Sequence, residues 1–199
     1  MRLCVIGDEL VAGTGDPRGL GWVGRVLARS KFSEPPTLMT LASPGETTKD
    51  LCARWEGEVM PRLSSGGPRG LLIHVGASDI LAGLSSARSR LNLANITDRA
   101  TALGIPCFVI GPAPLAGVDH HSVKELSRSC AEVCQRRGLP YVDLATPLAT
   151  HDQWFEDMAA SRAQSASGLT LPGQSGYALI AWLILHSGWY EWTGAEPQD

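Results

Sequence analysis

Two connections of the same make constrain this chain more than anything else in it. Gly104-Ile105-Pro106 and Gly138-Leu139-Pro140 each stand between a helix-patterned stretch and a short apolar run. Glycine permits the left-handed cap that ends a helix, and proline prevents the helix from continuing. The repeated device implies successive βα units. The alternation extends along the whole chain, with strand candidates at 3–6, 37–41, 71–75, 107–110 and 141–143. Between and after them the pattern predicts helices at 22–28, 47–59, 86–103, 123–137 and 173–186. Such alternation points to an α/β protein, a three-layer α/β/α sandwich around a parallel sheet. The third candidate strand is a continuous apolar run, as expected when helices cover both faces.

A length of 199 residues is most simply read as one domain spanning 1–199. Gly66-Gly67-Pro68-Arg69-Gly70 reads as a loop, because the strands after it complete the same sheet, and 194–199 reads as a frayed tail. Hydrophobic residues at 44% and charged residues at 19% fit a soluble globular chain. A formal charge of -3 lacks the basic excess of a nucleic-acid groove, so no nucleic-acid partner is expected. The five cysteines are scattered, and Cys4 and Cys107 fall in apolar runs that suit small buried thiols. Cys130 and Cys134 have no second Cys or His pair in a finger arrangement, so neither metal nor cofactor is expected. No apolar run reaches the ~20 residues that would span a bilayer. Met1 leads almost at once into the first strand, leaving no room for a signal peptide, which gives a cytoplasmic reading.

Candidate chemistry gathers where the strands end, since ligands of open α/β sheets sit outside the carboxyl ends of the strands. The first apolar run stops at Gly7, and Asp8 and Glu9 follow at once, before a glycine-rich loop. Val5-Ile6-Gly7-Asp8-Glu9-Leu10 resembles the Gly-Asp-Ser-Leu block of the GDSL, or SGNH, hydrolase family. That resemblance implies a flavodoxin-like five-stranded sheet ordered 2-1-3-4-5. It also implies an acyl-transfer site whose serine nucleophile has its counterpart at Glu9, with Asp8 in a supporting place. Further blocks occur in the family's order. Ala42-Ser43-Pro44-Gly45-Glu46-Thr47-Thr48 resembles the second, in which Gly45 matches an oxyanion-hole glycine. Gly76-Ala77-Ser78-Asp79 resembles Gly-x-Asn-Asp, with Ser78 at the asparagine and Asp79 in support. Ser167-Gly168-Leu169-Thr170, followed by Pro172-Gly173 and Tyr177, resembles the Asp-x-x-His block. Ser167 then stands at the orienting aspartate and Thr170 at the general-base histidine.

A serine nucleophile requires a base and a group to orient it, and neither hydroxyl accepts a proton near neutral pH. The resemblance therefore predicts a non-hydrolytic member, keeping a pocket for a small acyl or ester-like ligand or serving as an interaction module. Three alternatives stay open. Glu9 can serve as nucleophile or base of a divergent ester hydrolase, or can instead accept backbone N–H bonds from its own loop or from the helix that follows it. A histidine at 120, 121 or 151 can reach a displaced serine, while His74 and His186 read as packed or capping residues. Asp8, Glu9 and Asp79 can converge on a divalent cation. Trp182, Trp189, Tyr190 and Trp192 crowd the C-terminal region, where they either pack on the sheet or form a self-association surface.

Overall fold

The computed structural model describes residues 1–63 and 66–198. Five strands form one sheet: β1 (Arg2–Gly7), β2 (Thr37–Ala42), β3 (Arg69–His74), β4 (Cys107–Ile110) and β5 (Tyr141–Val142). All neighbours run parallel in the order β2-β1-β3-β4-β5. This is the α/β sheet that the alternation and the resemblance predict. Register is tight at the centre, where Cys4 pairs with Met39 on one side and Leu71 on the other.

Ten helices occur among the described residues: α1 (Glu9–Ala12), α2 (Gly21–Ala28), α3 (Thr48–Leu63), α4 (Ser78–Leu81), α5 (Ser86–Ala102), α6 (His120–Arg137), α7 (Ala145–Leu148), α8 (Asp152–Ser161), α9 (Gln174–Ile184) and α10 (Tyr190–Thr193). The sequence pattern anticipates α2, α3, α5, α6 and α9 to within a few residues. It omits the one-turn helices and α8. α3 runs beyond the anticipated end through Pro61, because a proline in a last turn forfeits a single intrahelical bond. The anticipated last helix breaks into a wide turn at Leu185–Trp189, where Ser187 and Gly188 leave helical geometry, before α10 resumes.

Alternate strand residues feed two cores, one on each face of the sheet. Leu3, Val5, Leu72, Phe108 and Ile110 pack with Trp22, Tyr177, Ile180 and Trp189 from α2, α9 and the turn after it. Cys4, Ile6, Leu71, Ile73 and Val109 pack with Leu51, Trp55, Leu93, Ile96 and Val133 from α3, α5 and α6. The cysteines are all free, and burial pushes the Cys4 thiol up to about 11 and the Cys107 thiol up to about 12. Trp189 is fully buried and Trp192 lies 5.3 Å from Phe108, so two of the C-terminal aromatics are packing residues. Trp182 faces outward.

The stretch expected as a tail contains a two-residue strand. Glu196–Pro197 pairs antiparallel with Ser30–Lys31, and the Gln198 N–H donates to the Arg29 carbonyl at 3.0 Å. Asp199 lies outside the described residues. Among those described, no helix is long and apolar enough to cross a membrane.

Candidate functional site

β1, β2 and β3 deliver their last residues to one end of the sheet, where Gly7 pairs with Ala42. At Gly7 the chain turns sharply with φ 150°, and a Cβ there would stand 2.6 Å from the His74 carbonyl oxygen. Glycine at this position lets β1 pass straight into α1. Asp8 caps that helix, its Oδ1 accepting the Leu10 N–H at 3.0 Å. Its Oδ2 lies so close to Gly76 that an added Cβ would approach to 1.9 Å. The exit of β3 is thus shaped around a carboxyl group from the exit of β1. Burial pushes the Asp8 carboxyl up to about 7. The Leu10 hydrogen bond opposes the shift, while the neighbouring Glu9 and Glu46 add to it. Beneath, the buried His74 ring meets Trp22 edge-on at 5.8 Å, and burial pushes its imidazole down to about 4 against a smaller pull from the Gly111 backbone.

Glu9, first residue of α1, is also buried, and its Oε1 accepts the Ala166 N–H at 2.7 Å. Ala166 belongs to a tight hairpin between α8 and α9. Leu171 donates to Ala163 at 2.9 Å and Ser165 to Leu169 at 2.7 Å, while Thr170 bridges to both Gln164 and Ala116. The Ser165 Oγ accepts the Ser167 N–H at 3.2 Å and the Leu169 N–H at 3.0 Å. This hairpin lies against the loop after β2: a Cβ on Gly45 would stand 3.5 Å from that of Ala166 and 3.8 Å from the Ser167 Oγ. The structure therefore brings Glu9, Gly45 and Ser167 to one place. Ser167 itself is exposed, and Thr170 is half-buried.

Ser78 and Asp79 open α4 at the end of β3, both buried. Asp79 points away toward α3, where its oxygens accept the Thr48 N–H at 2.6 Å and the Thr48 hydroxyl at 2.7 Å. Asn92 donates to that same hydroxyl at 3.0 Å. With Asp79 committed to Thr48, the three-carboxylate cation idea loses its geometry. Among the described residues no group of three acidic, His or Cys side chains is arranged to hold a metal ion.

The histidines weighed as bases have other company. His120 stacks on Phe155 at 5.5 Å, His121 faces Glu125 at 3.7 Å, and His151 stands at the N-cap of α8. Among the described residues no hydrogen bond, ion pair or ring stacking joins these rings to Glu9, Ser78, Ser167 or Thr170, and the buried His151 Nδ1 has no hydrogen-bond partner. A cleft of about 220 Å³ beside α4 is lined by Asp79, Ser86, Ser89, Ser122 and Glu125.

Three carboxylates matter that the sequence pattern does not reveal. Glu46, buried next to Gly45, is gripped by Arg54, whose Nε and Nη2 both donate to it while Nη2 also reaches the Leu41 carbonyl at 2.7 Å. Burial pushes the Glu46 carboxyl up, with Arg54 pulling it back. Asp16 accepts the N–H groups of Leu20 at 3.0 Å and Gly21 at 2.9 Å, and pairs with Arg25 at 2.5 Å. The Arg25 guanidinium holds its carboxyl down at about 2. Asp157 of α8 accepts from Gly173 at 2.5 Å, Ser175 at 3.1 Å and Gly176 at 2.9 Å, which caps α9 and fixes the block after the hairpin.

Glu9→Ala releases the Ala166 amide from a charged acceptor. A bond of this kind contributes about 1.5–3 kcal/mol, so hydrogen exchange at Ala166 is expected to quicken roughly 10- to 100-fold. Exchange in Ile73 of the central strand should stay unchanged. Equal rates at Ala166 in variant and parent would show that the bond contributes nothing.

Comparisons with known proteins agree with one another. The family model for the GDSL-like Lipase/Acylhydrolase family matches residues 5–179. The structure is similar to a lipase/acylhydrolase from Enterococcus faecalis at 21% identity, covering 100% of both chains with a TM-score of 0.74. It is similar to a member of the lipolytic protein G-D-S-L family from Veillonella parvula at 20% identity, over 94% of this chain and 97% of that one, with a TM-score of 0.74. It is also similar to Axe2, an acetylxylan esterase from Geobacillus stearothermophilus, at 19% identity, over 96% and 95%, with a TM-score of 0.72. At these identities the solved structures speak to the fold. No curated protein matches the sequence.

Proposed function

The chain belongs to the GDSL-like lipase/acylhydrolase family, and we propose that it is a non-hydrolytic member, which binds rather than turns over. One observation carries the reading. The side chain at the serine position of the family's first block is a buried carboxylate that accepts a backbone N–H from the hairpin bearing Ser167 and Thr170. In this role Glu9 is a latch, and Ser167 and Thr170 are parts of the latched segment. Gly45 lies against the same hairpin, with Asp8 capping the turn out of β1. Acyl transfer requires a group to take the proton of the attacking alcohol, and the hydroxyls at 167 and 170 do not accept it near neutral pH. The ligand class that suits this region is a small acyl or ester-like molecule. The reading includes one domain over 1–199 and a cytoplasmic setting, for which the five free cysteines are the support.

A second reading is favoured by a different observation. The buried Asp8 carboxyl, directly before Glu9, is raised to about 7, and a carboxyl that exchanges its proton near neutral pH can act as general acid or base in an ester hydrolase. Hydrolysis of p-nitrophenyl acetate and p-nitrophenyl butyrate by the purified chain separates the two. Loss of a serine triad costs on the order of 10⁶ in kcat, so the first reading expects turnover indistinguishable from Glu9→Ala and from a heat-denatured sample. A kcat of about 1 s⁻¹ or more, abolished by Glu9→Ala, would establish the second reading instead.

A further inference from the structure

On the far side of α2 and α9 from the sheet, the two helices and the start of α8 enclose an open groove of about 590 Å³. Arg18, Arg25 and Arg29 line it, with Leu20 and Trp182 as its large apolar walls, and none of its lining residues is acidic. Arg25 is already matched by Asp16 at 2.5 Å. Arg18 and Arg29 form no ion pair among the described residues. In a chain of net charge -3, this surface presents two guanidinium groups, Arg18 and Arg29, without an ion-pair partner among the described residues.

The apolar walls are unusual as well. Trp182 is 53% exposed and Leu20 44% exposed, two of the four large apolar side chains so exposed among the described residues. Trp182 is held in place, since His186 stacks on it at 4.1 Å and the His186 Nδ1 lies 2.7 Å from the Trp182 carbonyl oxygen. An exposed indole kept in one orientation loses little entropy when a partner covers it. Trp and Arg are also the side chains that most often dominate binding energy at protein surfaces.

We infer that this groove binds an acidic polypeptide segment, with an apolar side chain seated between Leu20 and Trp182 and carboxylates facing Arg18 and Arg29. Charge decides among the occupants. A second copy of the chain, docked groove to groove about a two-fold axis, brings Arg18 and Arg29 against their own duplicates, and like charges oppose that contact. A nucleic acid demands a broader basic surface than two unmatched guanidinium groups. A small ligand is poorly sheltered, because pockets that hold one cover most of its surface, whereas the Leu20 and Trp182 walls are themselves 44% and 53% exposed. The inference rests on the binding role proposed above only in naming a surface for it, and the ester assay and the peptide titration can fail separately.

The test is a titration of the ¹⁵N-labelled full chain, followed by amide and indole signals. The probe is an equimolar pool of acetylated, amidated pentapeptides with Asp or Glu at the four outer positions and Leu or Phe at the centre. A matching pool with Lys or Arg outside is the control. The acidic pool should shift the Trp182 indole signal and the amides of α2 and α9, and binding should weaken at least 10-fold in Arg18→Glu/Arg29→Glu and again in Trp182→Ala. Raising salt from about 0.05 to 0.5 M should weaken it further. No shift with the acidic pool, equal shifts with both pools, or shifts confined to another surface would overturn the inference. So would concentration-dependent broadening of Trp182 in the chain alone, which marks self-association. Circular dichroism of each variant confirms that it is folded, and Arg18→Gln/Arg29→Gln supplies a milder charge removal should the reversal unfold it.

Discussion

Asp8→Asn should make the protein more stable at pH 8 by on the order of 4 kcal/mol, and change it little at pH 4. The parent carboxyl is raised from 3.8 to about 7 by burial, with Glu9 and Glu46 contributing in the same direction. A tenfold change in proton affinity between the folded and unfolded chain corresponds to about 1.4 kcal/mol. The sign follows from the protons bound. Between pH 4 and 7 the unfolded chain has released the Asp8 proton while the folded chain keeps it, so stability falls as pH rises and is lowest once the folded carboxyl ionises. Asparagine keeps the cap on α1, because its carbonyl oxygen accepts the Leu10 N–H, and it never ionises. His74 runs the other way. Its folded imidazole titrates at about 4, below the ordinary 6.5, so its contribution is present at high pH and lost as pH falls from 6.5 to 4. In the parent the two slopes oppose between pH 4 and 6.5, and Asp8 alone acts just above. In Asp8→Asn the His74 slope stands uncovered, and stability should climb through that same window. Urea midpoints at half-unit intervals from pH 4 to 8.5 check this. Parallel curves for variant and parent would show that Asp8 is ionised in the folded chain throughout.

Gly76→Ala should lower stability by about 3 kcal/mol, a sum of overpacking and a disturbed cap. The new methyl would fall 1.9 Å from the Asp8 Oδ2 and 2.8 Å from its Cγ, so the capping carboxyl would have to move. For a chain of this length the midpoint of thermal unfolding should drop by roughly 6–12 °C. The pair makes a cycle. Asp8→Ala removes the obstructing carboxyl, so Gly76→Ala added to it should cost about 1 kcal/mol or less. A full cost in both backgrounds would mean that the alanine offends the backbone after β3 and not the carboxyl group.

The fold was largely legible because its signals are local. An apolar run closed by Gly7, a twice-used glycine–proline connection and a continuous apolar run in the third strand each express one element within a few residues. α8 escaped because only Trp154 and Met158 on it are buried, too short a periodicity to stand out from a loop. The site was legible as positions and illegible as contacts. Glu9 and Ala166 are 157 positions apart, and the recipient is a backbone amide, which no side-chain pattern records. Glu46 escaped for a related reason, since a carboxylate beside a turn glycine reads as solvated until burial and Arg54 are seen together. Asp157 was invisible while α8 was.

The latch between Glu9 and the hairpin also sets an order on any attempt to install hydrolysis. Ser167 is exposed and Thr170 half-buried, so Ser167→Asp and Thr170→His can be introduced first at small cost. Glu9→Ser withdraws the acceptor that holds Ala166, and, made first, it leaves the future orienting carboxylate and base on a hairpin held only by its own ladder and the Thr170–Ala116 bridge. The route toward an active variant is therefore directional, with steps that are tolerated in one sequence of introduction and penalised in the reverse.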